Sequence, residues 1–331
     1  MLKWISKSGT FIQFTIFIVL LLVFWIPAFV NPHPAVISPS DGPLYTLLVS
    51  WLQSVPFLQV AIALVIIVIQ SLILFYVFQS NGLFGRSNFL PAIIVLLSFS
   101  WNVDYMTLHA LLPAGIFCII ALNSIMQMYG KPAAFHQVFT AAFSLGLASL
   151  FYIPMVYFLL LIWFTLITYR VSSWREYAIS IVAFSIPLIY YICWLFWIDN
   201  LLSGLNQWAD SLLIFSLPPR LSLLNTAWLS LSALIMLLSL TATLNVMSDK
   251  IISLRRKAWV LFNFSITGIV VLIFSGWPLL SINYVFVIPM SFFITGSLTL
   301  IKRSFWFEVL ILGYFCVFIA MRGYLLLHLN G

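Results

Sequence analysis

Two acidic side chains stand where chemistry could reach them. Asp41 lies in the stretch Ser38-Pro39-Ser40-Asp41-Gly42-Pro43-Leu44-Tyr45, and Asp104 in Trp101-Asn102-Val103-Asp104-Tyr105, each a turn between apolar runs. A surface carboxylate can take the proton of an attacking hydroxyl or ligate a divalent metal, and Asp41 is the candidate for either role. Asp104 is its catalytic support. Arg220, after Ser216-Leu217-Pro218-Pro219, presents a planar fork matched to phosphate. Tyr45 and His109 complete the candidate set as substrate contacts. His109 follows Asp104 by five residues, a spacing that shares a helix face poorly, so the two do not make a metal pair. Plainer readings stay open. Asp41 suits the N-cap of a helix with Pro43 in its first turn, Asp104 a polar hairpin turn, and Arg220 an interfacial anchor.

The elements that must position these residues belong in a bilayer. Of the 331 residues, 64% are apolar and 6% carry Asp, Glu, Lys or Arg, whereas a soluble chain carries roughly 25% charged residues. A helical span needs about 20 apolar residues. Runs of that kind fall at about 10–30, 57–79, 178–198, 224–246 and 305–321. Further pairs are hinged at Trp101–Tyr105, where 89–101 is too short to cross comfortably and 107–127 follows, near Pro154, where two short spans meet, and at Gly276-Trp277-Pro278, which divides two spans. The reading is an all-α, polytopic membrane protein with about eleven spans (nine to twelve), forming a single domain over 1–331. The first run is too long for a signal-peptide core and is an uncleaved span. Leu44, Leu47, Leu48, Trp51, Leu52 and Val55 recur at helical spacing, with Tyr45, Thr46 and Ser50 opposite. They predict an amphipathic helix over about 44–55 on the outer membrane surface.

The charges set the direction. With the N-terminus inside, every Lys and Arg except Arg220 and Arg322 falls on the cytoplasmic side, and Asp41, Asp104, Asp199 and Asp210 fall outside. Lys and Arg concentrate in cytoplasmic loops of membrane proteins. The net charge of +7 therefore points to membrane lipids as partners and not to nucleic acid. The expected place is a bacterial inner membrane, with the N-terminus cytoplasmic and the C-terminus periplasmic. Cys118, Cys193 and Cys316 lie in apolar runs without paired or metal-type spacing. Phosphate loops, dinucleotide fingerprints and Gly-x-Ser-x-Gly elbows are absent from the sequence, which disfavours ATP-driven and hydrolase functions.

An acid in the first outer loop followed by an amphipathic surface helix resembles the GT-C membrane glycosyltransferases. Those enzymes use polyprenyl-phosphate-linked sugars on the outer face of the membrane, and their loop acid is catalytic. The resemblance implies that role for Asp41, a polyprenyl-phosphate sugar as partner, and a divalent metal as the cofactor to consider. Two features depart from that family: no second acid adjoins Asp41, and no soluble outer domain follows the last span. Ala121-Leu122-Asn123, Gly146-Leu147-Ala148-Ser149-Leu150-Phe151-Tyr152 and Ser173-Trp174-Arg175-Glu176 resemble an uncharacterised family of polytopic inner-membrane proteins of Bacteroidota. The function expected is a GT-C-like glycosyltransferase. A transporter or flippase, or a non-catalytic subunit of an envelope complex, are the alternatives. Reporter fusions after Lys131 and Arg256 are expected to read as cytoplasmic and a fusion after Asp210 as external; an external signal at Lys131 or Arg256 overturns the topology.

Overall fold

The computed structural model describes residues 9–84, 88–101, 106–131, 133–171, 173–212, 223–248, 250–275, 279–300 and 313. Its described residues form helices and no strand. They run in chain order as α1 (Thr10–Val30), α2 (Pro43–Leu52), α3 (Pro56–Ser80), α4 (Leu90–Phe99), α5 (Leu111–Met126) and α6 (Phe135–Phe151). A 3-10 turn (Ile153–Phe158) leads into α7 (Leu159–Tyr169), followed by α8 (Trp174–Trp197), α9 (Leu201–Leu212), α10 (Leu223–Ser248), α11 (Ile252–Phe274) and α12 (Leu279–Leu300). Five of these, α1, α3, α8, α10 and α11, have segments long and apolar enough to cross a membrane. Shorter apolar helices fill in between, and the chain is a multi-pass helical membrane protein. The run at about 305–321 lies outside the described residues.

The charged residues sort to the two ends of the bundle. α11 starts beside Arg255, Arg256 and Lys257 and finishes at Ser275. From Arg256 to Ser275 it rises roughly 28 Å at about 1.5 Å per residue, close to the thickness of a hydrocarbon core. Lys131 precedes α6, Arg170 ends α7 and Lys250 precedes α11, so they share the basic end. Asp41 meets the far end of α6, and Asp199 and Asp210 follow the far end of α8. Glu176, in the first turn of α8, is the described acid that sits at the basic end.

Three buried glutamines satisfy backbone groups between segments of the bundle. Buried Gln13 accepts the Phe89 N–H at 2.6 Å, ahead of α4. Buried Gln59 accepts the Ala35 N–H at 2.7 Å and donates to the Leu52 carbonyl at 2.9 Å. Gln70 donates to the Leu112 carbonyl at the start of α5. In lipid no water relieves a free N–H or C=O, so each of these contacts permits an irregular stretch at depth.

α6 and α8 form the tightest pair. A Cβ on Gly146 would lie 2.6 Å from the Phe184 carbonyl oxygen and 3.1 Å from the Pro187 ring. Pro187 lacks an N–H for the helix ladder, and its ring fills the space that Gly146 leaves. The Gly146–Tyr152 stretch is therefore first a small-residue helix interface of the kind membrane bundles use.

Candidate functional site

The loop of residues 31–42 is held by main-chain contacts. α6 stops at Phe151 because Pro154 cannot continue a helix, and the break leaves backbone groups to be paired. The Asp41 loop pairs them. Gly42 N–H donates to the Phe151 carbonyl at 2.7 Å, Ile153 N–H donates to the Ser40 carbonyl at 3.0 Å, and Asp41 and Tyr152 form an antiparallel bridge. Gly42 is required for that approach, since a Cβ there would run into the Leu150 carbonyl. Two further anchors fix the loop: Ser211 Oγ donates to the Pro39 carbonyl at 2.7 Å, and Ser40 Oγ to the Ser275 carbonyl at 3.5 Å.

Asp41 is buried, at 9% exposure. Its Oδ2 accepts the Ser38 N–H at 2.7 Å, and its own N–H donates to the Ser38 carbonyl at 3.0 Å. The side chain closes this turn and does not cap α2, whose N-cap is Gly42 with no side-chain bond. The N-cap reading is thus corrected. A cap needs the residue directly before the helix in extended backbone with its oxygen on an amide of the first turn. Asp41 stands one residue too early. No described cation pairs with it, and burial raises its carboxyl from 3.8 to about 6, with the Ser38 amide working the other way.

Asp41 lines a cavity of about 260 Å³. α2 supplies Pro43, Thr46 and Leu47 to its wall. The end of α8 contributes Tyr191 and Trp194, and α9 contributes Ser203, Gln207 and Trp208. Trp208 Nε1 is buried without a hydrogen-bond partner, and its side chain is part of this wall. α9 packs closely because Gly204 faces Leu195, where a Cβ would come within 2.6 Å of a methyl. Tyr157 secures its end by donating to the Leu212 carbonyl at 2.7 Å. The result is an aromatic-walled chamber with hydroxyl and amide groups, at the acidic end of the bundle.

Tyr45 and His109 stand behind Asp41 and not among the residues lining that chamber. Tyr45, on the polar face of the expected amphipathic helix, is fully buried, and Leu47 and Trp51, on its apolar face, are 37% and 82% exposed. The helix forms over Pro43–Leu52, and the placement of Tyr45 is corrected: it packs inward with Val49, while Leu47 and Trp51 present the apolar edge expected to meet the membrane. The Tyr45 hydroxyl lies 2.9 Å from the Leu108 carbonyl and 3.3 Å from the Val36 carbonyl. Burial, and then the nearby Asp41 charge, raise its ionisation well above the ordinary phenol range. His109 Nδ1 lies 2.7 Å from the Thr107 carbonyl, so Nδ1 carries the proton. Asp104 and Arg220 lie outside the described residues. The segment 213–222 that carries Arg220 directly follows α9. No group of three His, Cys, Asp or Glu able to hold a metal gathers among the described residues.

α9 and its cavity wall were missed from the sequence, although Leu201, Leu205, Trp208 and Leu212 recur at helical spacing. Compared with protein-family models, curated proteins and solved structures, the chain matches none of them.

The raised carboxyl has a stability consequence. Well below pH 3.8 Asp41 is neutral whether folded or unfolded, and burial carries no penalty. As pH rises through 3.8 toward 6 the unfolded side chain ionises first, so the folded state loses stability, and the loss levels off above about 6. Asp41→Asn keeps an acceptor for the Ser38 amide and removes the charge. Thermal melts of both proteins are expected to converge at about pH 2.5, well below the unfolded value, with the variant the more stable by at most about 3 kcal/mol at pH 7. A pH-independent difference contradicts this.

Proposed function

We propose that this protein is a GT-C-like glycosyltransferase of a bacterial inner membrane, transferring a sugar from a polyprenyl-phosphate carrier at its acidic, outer end. The observation that carries the reading is a buried carboxylate, unpaired by any described cation, on the wall of an amphipathic cavity between two surface helices. Structure alone would be served as well by Asn at this position. A carboxyl held near 6 is ionised at neutral pH and close enough to it to accept a proton effectively. Asp41 takes the proton of the acceptor hydroxyl as that oxygen bonds to the anomeric carbon. The bond from that carbon to the carrier phosphate breaks, and polyprenyl phosphate leaves with the electron pair.

The aromatic wall of Tyr191, Trp194 and Trp208 suits stacking against a sugar face, and Gln207, Ser203 and the Trp208 indole N–H suit its hydroxyls. In this reading Arg220 holds the carrier phosphate with its fork, and Asp104 supports Asp41 in placing the acceptor or a divalent metal. The full topology is eleven spans with the N-terminus cytoplasmic. A transporter or flippase would need ionisable groups along a path at mid-bilayer. Among the described residues the charges lie toward the two ends of the bundle.

The test is complementation of a deletion strain, with envelope glycans and glycoproteins profiled. Wild-type protein is expected to restore what deletion removes. Asp41→Asn, present in the membrane at normal levels, is expected to fail, because loss of a positioned base typically costs 10²–10⁴-fold in rate. Full rescue by Asp41→Asn ends the catalytic assignment and favours a non-catalytic subunit.

A further inference from the structure

The basic end of the bundle carries a second cavity, of about 340 Å³, independent of the Asp41 chamber. It lies where three chain segments meet: the turn after α5 (Met128–Lys131), the end of α7 (Tyr169–Val171), and the first turns of α11. Three cationic side chains line it, Lys131, Arg170 and Arg256, and no acid does. Like charges brought together without a counter-charge raise each other's energy, and an anion relieves that. Glu176, three residues after the Ser173 N-cap that forms part of the wall, is itself buried and absent from the lining.

The guanidinium of Arg256 is fixed. It lies 5.7 Å over the centroid of the Tyr129 ring, and its Nη1 donates to the Tyr169 carbonyl at 3.4 Å. Tyr129 and Tyr169 in turn meet edge to face at 5.4 Å. A guanidinium stacked on a ring keeps its in-plane N–H donors available for an anion. Tyr169 adds a second observation: its side chain is 7% exposed and lines this cavity, and its hydroxyl has no hydrogen-bond partner. A buried, unsatisfied hydroxyl on a residue that shares its cavity with three cations is a donor waiting for an acceptor. Arg170 ends α7 in the left-handed region, at φ 60, a position at which glycine would be the easier residue.

From these groups we infer that the basic-end cavity is a phosphate site, in which Arg256, Lys131 and the Tyr169 hydroxyl bind the phosphate of an anionic headgroup or a free phosphate. Either source fits the volume. Basic pockets between membrane helices on the cytoplasmic side are recognised sites for lipid phosphates, and the positive-inside rule makes this end cytoplasmic. The site goes beyond the glycosyltransferase reading and does not depend on it. It lies about one bilayer from Asp41, so the two would be occupied from opposite leaflets.

The purified full chain provides the test. Its melting temperature is measured in detergent against inorganic phosphate, and in phosphatidylcholine nanodiscs with and without phosphatidylglycerol. Saturable stabilisation by phosphate in detergent identifies a free phosphate site; stabilisation by phosphatidylglycerol alone identifies a headgroup site. Both support the inference. Lys131→Ala, at an exposed side chain, and Arg256→Lys, which keeps the charge and loses the fork, are each expected to weaken the effect roughly tenfold or more. Arg255→Ala, at an exposed neighbour that does not line the cavity, is expected to leave it unchanged. No stabilisation by either probe overturns the inference. So does an equal loss in Arg255→Ala, which would mean general attraction of anions to a basic surface.

Discussion

The candidate site depends on a short main-chain bridge. A helix that breaks inside a membrane protein frees backbone groups that lipid cannot satisfy. At the end of α6 those groups are taken up by Ser40 and Gly42, through two hydrogen bonds of 3.0 and 2.7 Å. One interaction thereby solves two problems. It allows the chain to turn at Pro154 and re-enter as α7, and it draws the loop after α1 down onto the bundle with Asp41 at its centre. Gly42 makes it feasible, because only a residue without a side chain can come so close to the Leu150 carbonyl.

That arrangement places a carboxylate where it is poorly solvated. Asp41 gains one amide donor and a turn, and gains no described cation. The net effect on the fold at neutral pH is unfavourable, in the manner of groups kept for chemistry and supported by their surroundings. The surroundings here are stiff. Tyr45 ties α2 to the segment before α5, Ser211 ties α9 to Pro39, and Tyr157 ties the end of α9 to the break. A carboxylate held by packed helices and main-chain bonds keeps its geometry better than one on a free loop. Stacked Trp101 and Trp228, with centroids 4.5 Å apart, hold α10 against the segment that follows α4.

The sequence carried the helical class, the sorting of charge between two ends, the shortness of α4, and the loop that holds Asp41. It was less informative about faces. In a soluble helix the apolar stripe points to the core, but in a bilayer lipid and core are both apolar. Leu47 and Trp51, the stripe expected to face the membrane, are exposed, but Tyr45, whose hydroxyl suggested an exposed face, is buried because Leu108 and Val36 offer it carbonyls. The same ambiguity hid α9, whose leucines merge with apolar neighbours. The bridge was invisible for a different reason. It joins residues about 110 apart through main-chain atoms, and only Gly42 marks it in the side-chain record.

The most direct measurement is the titration of the Asp41 carboxyl, followed by difference infrared spectroscopy against Asp41→Asn, in the wild type and in Gly42→Ala. If the bridge holds Asp41 in its buried place, the wild-type carboxyl titrates near 6. In Gly42→Ala, where the loop can no longer seat against α6, the midpoint falls toward the ordinary value of 3.8. A wild-type midpoint already at the ordinary value, or one unmoved by Gly42→Ala, contradicts the account.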